Sequence, residues 1–159
     1  MEIDNKKCTR FQKIISRMSI LLIIAIFLFI IVFWNRIPER IPGHYDGSGN
    51  ITRLDPKWTI LFLPILSVIF YFGLSAVENT PSIWTVTTDT NEDNKDYIYR
   101  ITVDLLVSMK FVIIATFCYI TINNTYAKKL SSYFLPIVLG LVFGVIILYI
   151  VRSIRNGRE

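Results

Sequence analysis

Residues 35–57 read NRIPERIPGHYDGSGNITRLDPK, a polar, Pro- and Gly-punctuated stretch set between two apolar runs. Upstream, residues 18–34 are almost entirely Ile, Leu, Phe, Ala and Val; downstream, residues 58–77 carry no charge. About 20 residues at a 1.5 Å rise cross the roughly 30 Å hydrocarbon core of a bilayer, so each run fits a transmembrane helix. Two more blocks follow: residues 101–122, charged only at Asp104 and Lys110, and the uncharged residues 133–151. In lipid the backbone must satisfy its own hydrogen bonds, which makes helices the default for such runs. The expected fold is therefore an all-α integral membrane protein with four spans (18–34, 58–77, 101–122 and 133–151) in one domain. A turn-rich outer loop joins the first two spans.

The chain has 159 residues and is 53% hydrophobic, only a little above the roughly 45–50% of soluble domains. The blockwise distribution carries the reading, not the amount. A net charge of +5 would suggest a nucleic-acid partner for a soluble protein. Here the basic residues cluster beside the spans, where they orient the chain and meet lipid headgroups, so the expected partner is the bilayer and no nucleic acid. The N-terminal tail, the 78–100 loop and the C-terminal tail hold ten Lys and Arg, against six in the other two connections. That bias predicts both termini in the cytoplasm of a multi-pass cell-membrane protein, with the 35–57 loop outside. The basic start and apolar run also resemble a secretory leader, but the run is long and Phe33-Trp34-Asn35 offers no small-residue cleavage site. A retained anchor is expected. Cys8 lies in the tail and Cys118 in the third span, too far apart to pair.

Residues 1–13 are charged and expected to be frayed or interfacial. Trp34 and Trp58 bracket the loop at the depth amphipathic rings prefer. Pro64 is expected to kink the second span, and Pro136 falls in the first turn of the fourth, where a missing N–H costs little. Glu78-Asn79-Thr80-Pro81 ends the second helix, residues 83–88 are β-branched and interfacial, and Thr90 followed by Asp93 starts a helix that continues into the third span. Glu92, Asp93 and Asp96 would favour its dipole there.

Within the loop, His44, Tyr45, Asp46, Arg53 and Lys57 are candidate ligand-binding residues, and Pro38, Pro42 and Gly49 are structural ones. A metal is weighed and set aside. Zinc asks for three or four converging His or Cys ligands, and the chain has one His. Calcium spacing at Asp46, Ser48, Asn50 and Thr52 lacks the Gly placement and closing Glu of a calcium loop. Asp-Gly and Gly-Asn fit a tight reversal better, because they supply positive φ. A catalytic His44 would need a nucleophile and an orienting carboxylate, and Ser48 sits in a turn without a strand-to-helix elbow. No catalytic residue, metal or cofactor is expected. In the third span, Tyr97, Arg100, Asp104 and Ser108 draw one helical stripe, and Arg100 can pair with Asp104 at i,i+4. Lys110 lies on roughly the opposite face, either buried or snorkelling to the surface. Gly140 and Gly144 form a G-x-x-x-G pattern, expected to serve helix packing within the bundle, with homodimerisation as the alternative.

The loop residues Ile37-Pro38, Ile41-Pro42-Gly43-His44-Tyr45-Asp46, Gly49 and Lys57-Trp58 resemble a bacterial membrane family. It is the domain of unknown function shared with the immunity proteins against the sporulation-delaying-protein toxin. The likeness covers about residues 20–77 and extends through Tyr99-Arg100 and Lys110 to about 122. Leu54-Asp55-Pro56 departs from the family's aromatic and small residues, and the four runs are fewer than the spans of full-length immunity proteins. The resemblance implies a non-enzymatic protein that meets a membrane-active peptide toxin outside the cell and signals to a cytoplasmic regulator. Two alternatives stand beside it. One is a sensor or transporter accessory subunit using Arg100, Asp104 and Lys110 against a partner membrane protein. The other is a metal-assisted enzyme using His44, Asp46 and Asp55.

Overall fold

The computed structural model describes residues 8–80 and 92–156. The elements are α1 (Arg10–Phe33), a hairpin of β1 (Arg40–Tyr45) and β2 (Ile51–Pro56), α2 (Phe62–Glu78), α3 (Glu92–Thr125) and α4 (Phe134–Asn156). Four helices are long and apolar enough to cross a membrane. Their surface favours lipid: Leu21, Ile31, Val32 and Phe72 are each more than three-fifths exposed. Only 6% of the apolar window of α4 is buried, so that helix has almost no protein core to justify its composition. A bundle in water would hide such side chains.

The first helix begins earlier than the charged N-terminal tail suggested. Thr9 caps it: its hydroxyl accepts from the Gln12 N–H at 3.2 Å, and the Gln12 side chain accepts from the Thr9 N–H at 2.9 Å. This reciprocal box satisfies two otherwise orphaned donors, so the helix is set from Arg10 and residues 10–13 are not frayed. Pro64 also departs from expectation. The α2 helix starts at Phe62 after a 3-10 turn over Lys57–Leu61, so Pro64 sits in the first turn, where no intrahelical bond is lost. Pro136 occupies the same position in α4. The Thr90 helix start and the 83–88 segment lie outside the described residues. From Glu92 the third helix runs unbroken to Thr125.

The other three helices pack chiefly against α3. Paired contacts fix the directions. Along α1, Gln12 meets Asp104, the Leu22 carbonyl meets Cys118 and Phe29 meets Tyr126, so α1 and α3 run parallel. Along α4, Phe134 stacks on Tyr119 and Tyr149 meets Ser108, so α4 runs the opposite way, as does α2. This up-down-up-down order puts the hairpin and the α3–α4 connection at one end of the bundle.

The loop between α1 and α2, expected as a turn-rich reversal in an all-α fold, is a two-stranded antiparallel hairpin. Its base is rooted in the helices: Ile37, Ile41 and Ile60 join Ile26, Ile30, Ile114 and Cys118 in one buried cluster. Burying an Ile side chain such as Ile41 contributes about 1.5–3 kcal/mol. The Lys57 N–H donates to the Glu39 carbonyl at 2.9 Å and closes the base. Register irregularities on either side of His44 mark bulges, which re-aim side chains and sharpen the twist. At Gly43 an added Cβ would collide with the Asp55 side chain, so that bulge requires glycine. The two cysteines are free, Cys8 exposed and Cys118 buried.

Candidate functional site

The hairpin turn is organised by Asp46. One carboxylate oxygen accepts from the Ser48 and Asn50 N–H groups at 2.9 and 2.8 Å, and the other accepts from the Asn50 amide at 3.1 Å. These bonds, led by those from Asn50, hold the Asp46 carboxyl below its ordinary value of 3.8. Gly49 takes φ +82°, a left-handed backbone that L side chains seldom adopt. Its carbonyl accepts from the Leu130 N–H at 3.0 Å, and an added Cβ would strike the Leu130 carbonyl. The turn therefore both reverses the chain and docks on the α3–α4 connection.

Tyr45 carries the second docking contact. Its hydroxyl donates to Asn124 Oδ1 at 2.6 Å and lies 3.2 Å from the Lys128 carbonyl. Burial, and secondarily the nearby Tyr119, push the phenol up to about 12. The Lys129 ammonium reaches Asn50 Oδ1 at 3.2 Å. Ala127, in the same connection, adopts φ +49°, a conformation that costs a non-glycine residue roughly 1–2 kcal/mol.

Hairpin and helices leave a cleft of about 650 Å³ between them, within the roughly 300–1,000 Å³ of ordinary ligand sites. His44, Tyr45, Asp46, Arg53, Pro42 and Gly49 all line it, so most of the loop candidates converge there. Lys57 does not line it; its ammonium lies 4.8 Å from the Trp34 ring centroid. Pro38 is exposed beside the buried Ile37. The facing wall was not expected. Phe62-Leu63-Pro64-Ile65 opens α2, and Phe134-Leu135-Pro136-Ile137 opens α4. The Phe and Leu of both copies line the cleft, and the repeated tetrapeptide is the signal that would have found them.

Residues 21–68 match a domain of unknown function, DUF1648. No curated protein and no solved structure matches the chain. The matched stretch takes in the second half of α1, the whole hairpin and the first turns of α2. It includes neither the α3–α4 connection on which the hairpin rests nor α3 itself.

The chemistry of the polar wall is mostly internal. His44 is exposed, and its Nδ1 lies 2.6 Å from the Thr52 hydroxyl, which in turn approaches the His44 carbonyl at 3.3 Å. Arg53 forms a bidentate pair with Asp55, both contacts at 2.9 Å. Asp46 is committed to the turn. His44, Asp46 and Asp55 line the same cleft, but no group of three His, Cys, Asp or Glu suited to a metal occurs among the described residues.

The intramembrane candidates separate. Lys110 is fully buried. Its ammonium donates to Ser75 Oγ at 2.9 Å, stands 2.8 Å from a Glu78 carboxylate oxygen and lies 4.6 Å from the Tyr71 ring centroid. Tyr71, Ser75 and Glu78 fall at i, i+4 and i+7, one stripe of α2. Snorkelling is thus replaced by a buried ion pair. Glu78, which the sequence presented as part of a helix stop, is the counter-ion. It ends α2, where the helix dipole disfavours a carboxylate and favours a cation, and Lys110 offsets both. That Glu78 oxygen makes no hydrogen bond, so the pair is held by charge more than by alignment.

The Arg100–Asp104 pairing gives way to interhelical contacts. Asp104 accepts from Gln12 Nε2 at 2.7 Å, while Arg100 is exposed. The Tyr97 hydroxyl reaches the Arg152 carbonyl at 3.1 Å, and Ser108 meets the Tyr149 hydroxyl at 3.1 Å. The polar stripe of α3 therefore ties it to α1 and α4 at the end opposite the hairpin. Gly140 and Gly144 are exposed, with nothing within 4 Å of a Cβ built at either. The G-x-x-x-G face does not pack within the bundle.

Proposed function

We propose that the chain is a non-enzymatic, multi-pass cell-membrane protein of immunity type, binding a ligand such as a membrane-active peptide toxin in the cleft beneath its hairpin. Both termini would lie in the cytoplasm and the hairpin outside, as the Lys and Arg distribution favours. The observation that carries the reading is the convergence of His44, Tyr45, Asp46 and Arg53 on one cleft whose opposite wall is apolar. An amphipathic segment needs both faces. Challenging cells with and without the gene, across a panel of membrane-active peptides, tests the role. The expected outcome is better survival with the gene, lost when Leu63 and Leu135 are both replaced by Trp to fill the cleft. Unchanged survival throughout would remove it.

The accessory-subunit reading relies on Arg100, Asp104 and Lys110 seeking a partner helix. Two of the three already have partners within the chain, Gln12 and Glu78, which leaves that reading with less to recommend it. The metal-assisted reading asks His44, Asp46 and Asp55 to abandon Thr52, the turn and Arg53 together.

A further inference from the structure

The charges that line the cleft do not balance. Asp46, Asp55 and Arg53 line it, and Arg53 is already bound to Asp55 through two guanidinium contacts. Asp46 is left over. Its three bonds come from neutral N–H groups, two on one oxygen and one on the other. They hold the carboxyl below its ordinary value without cancelling its charge, and the less used oxygen can still accept. The other basic residues of the hairpin end, Arg36, Arg40, Lys57, Lys128 and Lys129, do not line the cleft. Lys129 acts on Asp46 from outside it, but its ammonium is bonded to the neutral Asn50 side chain.

Much of the remaining lining is aromatic. Tyr45, Trp58, Phe62 and Phe134 border the same space. Trp58 and Phe62 are 68% and 63% exposed, and neither ring has a ring or cation partner among the described residues. An aromatic face attracts a cation, as a carboxylate does. The chain uses that attraction elsewhere, with Lys57 4.8 Å from the Trp34 ring centroid and Lys110 4.6 Å from that of Tyr71. A leftover carboxylate and unoccupied rings in one cleft select a positive group.

The exposed Trp58 and Phe62 also make the cleft continuous with the lipid-facing surface, so a molecule in the bilayer reaches it by lateral diffusion. The basic residues outside the cleft would slow a cation arriving through water. That barrier is screened beyond about 8 Å at physiological salt and is bypassed from the membrane side. A choline headgroup is cationic too, but it brings a phosphate that Asp46 repels. A Lys or Arg side chain on an apolar peptide brings no companion anion.

We propose that the cleft recognises a basic side chain of a membrane-bound amphipathic peptide, held between Asp46 and the aromatic lining, with the peptide's apolar residues against Leu63 and Leu135. The proposal rests on the cleft being a ligand site and names the chemistry that selects its ligand.

The full chain is placed in phosphatidylcholine nanodiscs, whose neutral surface does not itself concentrate cations. The probe is a fluorescent Leu- and Ala-rich helical peptide with one Lys, compared with an analogue carrying Gln in its place; empty nanodiscs give the background. The Lys peptide is expected to bind about fivefold tighter than the Gln analogue. Asp46→Asn, which keeps an acceptor for the turn, should bring the two level. Arg53→Gln, which frees Asp55, should widen the preference by about twofold. Leu63→Trp with Leu135→Trp should abolish binding of both, and circular dichroism checks that the helices persist; if they do not, the Asp46 and Arg53 variants decide. Equal binding of the two peptides, a preference unmoved by Asp46→Asn, or one weakened by Arg53→Gln overturns the proposal. So does no binding above empty nanodiscs, which would leave the cleft to the surrounding choline lipid. Should the Lys preference fail while peptide protection of cells persists, the immunity reading stands with a ligand selected otherwise. A Lys preference without protection keeps this site and removes the immunity role.

Discussion

The hairpin and the Lys110 cluster both gather charge, but in opposite ways. Asp46 meets Asn50 and Arg53 meets Asp55, each within four positions of sequence, and all four remain in contact with solvent. Lys110 reaches Ser75 across 35 positions of sequence and has no solvent contact. Exposed pairs are each worth little, since water replaces a lost partner at small cost. A buried charge has no such substitute, and removing its partner leaves the full desolvation penalty. Polarity thus marks the site in one region and holds two helices in one arrangement in the other.

The sharpest way to break this contrast is Lys110→Met. It leaves Glu78 without its counter-ion, and we expect a loss of about 3–5 kcal/mol, read as a large drop in thermal unfolding temperature in mild detergent. Removing both charges, with Lys110→Met and Glu78→Leu, should recover much of it, because the pair itself contributes far less than either half-pair costs. A double variant as unstable as the single one would show that packing, not charge, sets the cost.

These two regions also differ in how far the sequence discloses them. Four spans follow from run length, and the reversal follows from Asp46-Gly47 and Gly49-Asn50, because turn chemistry resides in adjacent residues. Partners across helices do not. Glu78 for Lys110, and Gln12 for Asp104, depend on which helix each face meets, and a polar stripe such as Tyr97, Arg100, Asp104 and Ser108 shows which residues share a face without naming the neighbour. Lipid tails and protein core are equally apolar, so Gly140 and Gly144 face outward at no visible cost in composition. The cleft was half legible: its polar wall is contiguous in sequence, while its apolar wall comes from two distant copies of Phe-Leu-Pro-Ile.

Gly49→Ala should have the next largest effect, confined to the hairpin. The left-handed backbone and the collision with the Leu130 carbonyl should cost about 1–3 kcal/mol. Hydrogen exchange would show the turn and residues 128–131 opening while the helix amides stay protected. Loss of protection throughout the bundle would mean that the hairpin supports the fold instead of resting on it.

Tyr45→Phe removes one donor from Asn124 and should cost about 0.5–1.5 kcal/mol of docking. It also has a pH signature. The phenol is raised from 10.0 to about 12 in the fold, so the docked hairpin should be fully stable below pH 10. It should loosen as pH rises from there through 12, because the unfolded state gives up its proton more readily. The difference between wild type and Tyr45→Phe should narrow across that window; a constant difference would mean that the hydroxyl is not held by burial.

Asp46→Asn tests the solvent-facing limit of the comparison and should have the smallest effect. The carboxyl is fully exposed and is lowered by its bonds to Asn50. Its folded pKa lies below the unfolded one, so its contribution is present above the ordinary carboxylate value and disappears as pH falls through the lowered one. Asparagine keeps one acceptor for the turn N–H groups and loses the charge. The Asn50 amide should therefore exchange slightly faster at neutral pH, and its acid-induced loosening should vanish. If the substitution instead undocked the hairpin as fully as Gly49→Ala, the turn would depend on a charge that water does not replace, and the exposed and buried regions would obey one rule.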